Sequence, residues 1–252
     1  MKKLILKMLL FFLISIMLTS CSENDNTVES IKKKGKLTMA TEATFEPFEF
    51  RENGKITGID IDIAQKIAEE LDVELDIQEM EFGSLLAAVS KGKVDFIAAG
   101  LSVNEDRKKS IDFSVEYFNA SQVIIVKNDS SIKSKSNLVE KKLGVQQGTI
   151  GDEEASKIEN TTIERYTKTT DAIEALNQNK LDSVIMDNFP AKIFVSKNSD
   201  LQILDETLVS DNYAIGIKKD NTSLKKTIDK VLTTLKDNGE LDKIIDKYIE
   251  TE

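Results

Sequence analysis

Short apolar runs alternate with helix-patterned segments from Leu37 almost to the C-terminus, and no other feature constrains the fold as much. Leu37-Thr38-Met39-Ala40 predicts a strand, and Ile61, Ala64, Ala68 and Leu71 recur on one helical face. Residues 73–77 alternate apolar and polar as a strand does. Leu85, Leu86 and Val89 follow at helical spacing, and residues 94–98 then read as a buried strand. This βαβαβ rhythm demands parallel strands with helices on both faces. A second series repeats it: strands at 121–126 and 143–145, a short helix at 150–157, then 162–166, 171–177, 184–186 and 189–195. A late strand at 213–217 precedes helices at 223–237 and 241–248, with Gly239 where a helix-ending glycine is expected. The pattern is that of an α/β protein with two lobes and a cleft. Ligands of open α/β sheets bind at the carboxyl ends of the strands.

Composition narrows the chemistry. The 252 residues carry 34 Lys+Arg against 44 Asp+Glu, a net charge of −10, which disfavours a nucleic-acid partner. There is no His, which removes His triads, His metal sites and imidazole switches. One Cys excludes a disulfide framework and a Cys-rich zinc site. Hydrophobic residues at 40% and charged residues at 31% suit a soluble globular domain. No cofactor and no metal are expected.

Lys2, Lys3 and Lys7 precede the uncharged run 8–18, too short for a comfortable membrane span and suited to a secretory signal. Leu18-Thr19-Ser20-Cys21 resembles the bacterial lipobox. The resemblance implies removal of residues 1–20, lipid on Cys21, and a polar tether over 21–30. One acyl chain anchors weakly, so more than one is implied. The expected location is the outer face of the cytoplasmic membrane, or the periplasmic side in a two-membrane bacterium.

Five strand ends carry the candidate site. Glu42 and Phe45 follow the first strand; an exposed acid and a core ring would look the same. Phe82 stands where a helix starts and serves equally as a hydrophobic staple. Ala99-Gly100-Leu101-Ser102 is a small-residue turn before a helix beginning near Asn104, with Arg107 in its first turns. That Arg has no acid at ±3 or ±4, so beside free helix N–H groups it reads as a carboxylate clamp. Gln146, Thr149 and Ile150 form another strand–turn–helix junction with N–H groups suited to an anion, without the Lys-Ser or Lys-Thr of a phosphate loop. Asp187 ends a strand and opens a helix, which suits a helix cap or an ammonium ligand equally. A carboxylate clamp, an ammonium acceptor, two rings and one further acid together complement a zwitterionic α-amino acid.

At Ala40-Thr41-Glu42-Ala43-Thr44-Phe45-Glu46-Pro47-Phe48, Gly58-Ile59-Asp60-Ile61-Asp62, Asp95-Phe96-Ile97-Ala98-Ala99-Gly100, Glu105-Asp106-Arg107-Lys108-Lys109, Ile111-Asp112-Phe113-Ser114 and Gly144-Val145-Gln146-Gln147-Gly148-Thr149, the chain resembles the amino-acid-binding proteins of ATP-driven importers. These have the type II periplasmic-binding-protein fold. The resemblance implies a discontinuous first lobe, 31–118 with 212–252, and a second lobe, 119–211. Crossing strands near 121–126 and 213–217 would form the hinge. It implies a ligand side chain between Phe45 and Phe82, and a ligand carboxylate on Arg107 and the N–H groups of Ser102 and Ile150. The amino group would meet Asp187, the Ser102 hydroxyl and carbonyls near Ala99 and Gly100. Glu42 and Gln146 would meet the side-chain tip. Glutamine-binding members tend to have Asp and Lys at these last two positions, whereas Glu with Gln is closer to arginine- and lysine-binding ones. A carboxylate and two aromatic faces favour a cationic tip. The expectation is therefore a monomeric, non-enzymatic solute-binding protein for arginine or lysine, serving ABC permease subunits. Cystine, glutamine and histidine are the alternative ligands. A dehydratase of the same fold and a receptor's sensing lobe are the rival functions.

Overall fold

The computed structural model describes residues 27–249. The leader, Cys21 and the first part of the tether lie outside the described residues. Helix α1 (Thr27–Lys34) begins where the tether was expected to continue to residue 30. Val28 and Ile31 sit one turn apart and both pack on the core, so the folded body starts earlier than the polar composition suggests. Lys32, Lys33 and Lys34 close the helix at its negative end.

The first lobe is built on β1 (Lys36–Thr41), β5 (Glu74–Glu79), β6 (Phe96–Ile97), β7 (Ile111–Phe113) and β13 (Gly216–Lys218), in the order β5-β1-β6-β13-β7. The β1 pairs with β5 and β6 are parallel, whereas β13 runs antiparallel to β6 and β7. Alternation along β1 sends Leu37 and Met39 to one face and Ala40 to the other. On the first face they meet α2 (Ile59–Leu71), α8 (Thr222–Asp237) and α9 (Glu240–Asp246); on the second, α3 (Phe82–Ser90). A small antiparallel sheet of β2 (Thr44–Phe45), β3 (Glu49–Glu52) and β4 (Lys55–Thr57) follows β1.

The second lobe has β8 (Phe118–Lys127), β9 (Lys142–Gln146), β10 (Thr162–Tyr166), β11 (Ser183–Asp187) and β12 (Leu201–Tyr213), in the order β10-β9-β11-β8-β12. Val123 and Ile125 pack on one face with helices α6 (Thr169–Asn177) and α7 (Asn188–Ser196). Ile124 and Val126 pack on the other, where Ala155 of α5 (Ile150–Ala155) closes the core.

The chain passes between the sheets along 114–118 and 213–215. There Tyr117 N donates to Tyr213 O at 2.9 Å and Ser114 N to Ile215 O at 3.0 Å. Of the segments expected to cross, 121–126 lies inside the second sheet, paired with both β11 and β12. Its apolar run 123–126 marks a strand buried on both faces, not a passage between bodies.

Candidate functional site

Every residue singled out at the strand ends lines one cavity between the lobes, together with Glu49. The topology explains the convergence. Glu42 follows β1, Ala99 to Ser102 follow β6, Gln146 ends β9 and Asp187 ends β11, so the carboxyl ends of strands from both sheets face each other.

Gly100 is left-handed, with φ +52°, and a Cβ there would stand 2.8 Å from the Phe45 ring. Glycine therefore lets the turn lie against that ring. Its N–H donates to Asp60 Oδ2 at 2.8 Å, and the Tyr117 hydroxyl donates to Asp60 Oδ1 at 2.6 Å. Asp60 is fully buried, and burial raises its pKa to about 6 despite these bonds.

Arg107 belongs to α4 (Glu105–Lys108), a helix too short to present a developed dipole. The Asn104 side chain accepts the Arg107 N–H at 2.8 Å and so occupies part of the helix end that was expected to hold an anion. The guanidinium is buried. It donates from Nη1 to Ser102 O at 2.6 Å and from Nη2 to Gly148 O at 2.9 Å, and it lies 5.6 Å from the Phe82 ring centroid. It thus has partners that are remote in sequence, and one of its bonds spans the cleft. A guanidinium has five N–H donors, so it retains capacity for a carboxylate. Burial pulls its pKa down, while Glu153, Asp187 and Asp211 oppose the change.

The second turn is also pre-engaged. Gly148 N donates to Asp152 Oδ2 at 3.0 Å, and Thr149 caps α5 by accepting from Asp152 N at 3.3 Å. Ile150 opens that helix on the cavity wall.

Glu42 is 4% exposed and meets no cation within bonding distance among the described residues. Its Oε2 accepts from Gln146 Nε2 across the cleft at 2.7 Å, and its Oε1 from Thr44 Oγ1 at 3.1 Å. Gln146 is locked in that orientation, donating also to Thr167 O at 3.0 Å and accepting from Thr169 Oγ1 at 3.0 Å. Burial raises the Glu42 pKa.

Asp187 makes no side-chain cap to α7, so the reading as a helix cap does not hold. Its carboxylate instead accepts from the Tyr213 hydroxyl. Burial, then the neighbouring Asp211, raises its pKa. Asp211 accepts from Gln122 Nε2 at 3.4 Å and lies beside Ser102.

Sequence reasoning did not single out Glu49, Asp60, Asp211 or Tyr213 as parts of the site. Asp60 stands in a motif already quoted, but a first-turn helix acid is ordinarily solvated. Glu49 lies between Phe48 and Phe50, and period-two alternation would turn it to solvent. The cavity and its wall therefore hold five acids, Glu42, Glu49, Asp60, Asp187 and Asp211, against one buried Arg. Among the described residues no group of three or more acids, Cys or His is arranged to hold a metal ion.

Residues 37–251 match the family model described as bacterial extracellular solute-binding proteins, family 3. An arginine-binding extracellular protein of Bacillus subtilis is 33% identical over 214 residues, covering 82% of this chain and 83% of its own. A mutant ArgBP from T. maritima superposes with a TM-score of 0.86 at 41% identity, covering 89% of this chain and 99% of that one. The substrate-binding protein AbpA from Streptococcus pneumoniae, solved bound to L-arginine, gives 0.83 at 39% identity, with coverages of 87% and 97%. With its fold, its cleft and these relatives in agreement, the chain belongs to family 3 of the bacterial extracellular solute-binding proteins.

Proposed function

We propose that this protein captures a free L-amino acid with a cationic side chain, arginine or lysine, by closing its cleft, and delivers it to the permease subunits of an ATP-driven importer. One observation carries the reading: Glu42 is buried on the cleft wall, accepts only from two neutral donors and meets no cation within bonding distance among the described residues. A neutral zwitterion would add one cation and one anion, matched by Asp187 and Arg107, and leave Glu42 uncompensated. A cationic amino acid supplies a second positive group.

The ligand carboxylate would sit on the remaining Arg107 donors and the N–H groups of Ser102 and Ile150. Its ammonium would sit between Asp187, the Ser102 hydroxyl and the carbonyls near Ala99 and Gly100. Phe45 and Phe82 would flank the aliphatic stem, and Thr149 would hold the turn that carries Ile150. Glu42, oriented by Gln146, would take the tip. The relatives named for arginine binding, and the one solved with L-arginine, support this choice of side chain.

Closure needs contacts that exist only when the lobes meet. Glu42 to Gln146, Arg107 to Gly148, Asn104 to Glu153 and Lys197 to Glu46 are such contacts, and a ligand held by both lobes would add to them. In this reading the lobes are 31–118 with 212–252, and 119–211, and the protein is exported, lipid-anchored at Cys21 and monomeric. Equilibrium dialysis of refolded, ligand-stripped protein with labelled arginine, lysine, glutamine, cystine and histidine tests the assignment. Retention of arginine or lysine over the others is expected. Preferential retention of a neutral amino acid would overturn the cationic assignment and keep the transport role.

A further inference from the structure

Glu49 lines the same cavity and is 1% exposed, yet it stands apart from the other acids there. Glu42 accepts from Gln146 and Thr44, Asp60 from Gly100 N and Tyr117, Asp187 from Tyr213, and Asp211 from Gln122. For Glu49 the described residues supply no N–H or hydroxyl, and its buried Oε2 has no donor. The charged group acting on it most strongly is the Asp60 carboxyl on α2. The other groups acting on it are Glu42 after β1, Asp187 at the end of β11 and the Tyr117 hydroxyl on the passage between lobes; none is a cation.

A carboxyl this buried, with no donor and with a carboxylate acting on it, persists without a counter-charge only if it carries a proton. Asp60 already accepts two bonds as a carboxylate, so the proton belongs on Glu49. Burial and the Asp60 charge push Glu49 well above the usual carboxyl range, in agreement with the geometry. A cationic ligand would bring a further positive group into the cavity that Glu49 lines.

We propose that Glu49 holds a proton against Asp60 while the cleft lacks a cation, and loses it when a cationic amino acid enters, so that capture exchanges ligand charge for a proton. The Glu49 O–H bond breaks, the electron pair stays on its carboxylate, and the proton leaves to the solvent buffer. A neutral amino acid balances its own charges on Arg107 and Asp187 and leaves Glu49 protonated. Glu49 thereby becomes a residue that distinguishes ligands by net charge. The inference rests on the proposed cationic ligand.

Calorimetric titration of wild type and Glu49→Gln with arginine and with glutamine, in two buffers of different ionisation enthalpy, reads the released protons directly. Gln mimics the protonated acid and keeps a donor toward Asp60. Arginine should release more protons from wild type than from the variant, and glutamine should release equal numbers from both. Around neutral pH the wild-type affinity for arginine should rise with pH more steeply than the variant's, by up to about tenfold per pH unit for each proton released. Equal proton release for arginine in both proteins would overturn the inference and leave the ligand assignment standing. Failure of arginine to bind wild type would overturn the ligand assignment, and this inference with it. If Glu49→Gln does not fold, infrared difference spectra of wild type decide. The protonated-carboxyl carbonyl band should weaken more with arginine than with glutamine, and equal loss would refute the proposal.

Discussion

Replacing Glu42 by Gln separates the cost of a buried charge from its use. The carboxylate is 4% exposed, and its two donors, at 2.7 and 3.1 Å, are neutral. Gln at this position can keep both contacts, since its carbonyl accepts from Gln146 Nε2 and its amide can donate to the Thr44 hydroxyl, which both donates and accepts. The change therefore removes a charge from a poorly solvated place and leaves no orphaned partner. The free protein should gain on the order of 1 kcal/mol. For a chain of this size that raises Tm by about 2–4 °C. Arginine binding should move the other way. Losing one partner of a buried charge pair costs about 2–5 kcal/mol. That weakens Kd by roughly 30- to 4,000-fold. Glutamine, which presents no cation to this position, should lose far less. Differential scanning calorimetry of the stripped protein and titration with both ligands measure the two signs together. A variant that loses both stability and affinity for both ligands would show that Glu42 is structural, and the argument from an uncompensated charge would fail.

Three further outcomes follow from the same geometry. Arg107→Lys cannot bridge Ser102 O and Gly148 O at 2.6 and 2.9 Å and also face the Phe82 ring, so competition binding should show a loss of about 2–5 kcal/mol for every amino acid, whatever its side chain. Gly100→Ala forces a side chain into a left-handed turn, 2.8 Å from Phe45, and should cost about 1–3 kcal/mol of stability in denaturant titration. The pH dependence of the free protein should also reveal the buried acids. Asp60, raised to about 6, and Glu49, raised by burial and by the Asp60 charge, bind more protons folded than unfolded. Their contribution is full below the unfolded carboxyl range near pH 4 and is lost as pH rises through about 6 and beyond. The Tm of the stripped protein should therefore fall as pH rises from about 4 through about 6, and arginine should reduce that fall.

The sequence exposed those parts of this molecule that depend on local pattern. Period-two and period-3.6 patterning placed most strands and helices, and the strand-end rule led to Glu42, Gly100, Arg107, Gln146 and Asp187. Features that depend on remote partners were not legible. Arg107 has no acid at helical spacing, but nothing local shows that Gly148 O, 41 residues away, accepts its proton. Glu49 sits in a short hairpin whose alternation reads as solvent-facing, yet the first lobe and the cleft close over it. Asp60 reads as an ordinary first-turn acid, and its burial depends on Gly100 and on Tyr117, 57 positions away. Asp187 could be read as a cap because that choice turns on one hydroxyl from the other crossing segment, that of Tyr213. Even the tether's end moved, because two apolar residues suffice to hold α1 on the core.

The central claim is that the acidic cleft binds a cationic amino acid. Thermal unfolding of the refolded, ligand-stripped protein against each of the twenty amino acids tests it directly. A ligand at 100 times its Kd adds about 2.7 kcal/mol of stability. For a chain of this size that corresponds to roughly 5–10 °C in Tm. The account predicts such a shift with arginine or lysine and a markedly smaller one with glutamine. A full shift with glutamine or cystine and none with arginine or lysine would contradict it.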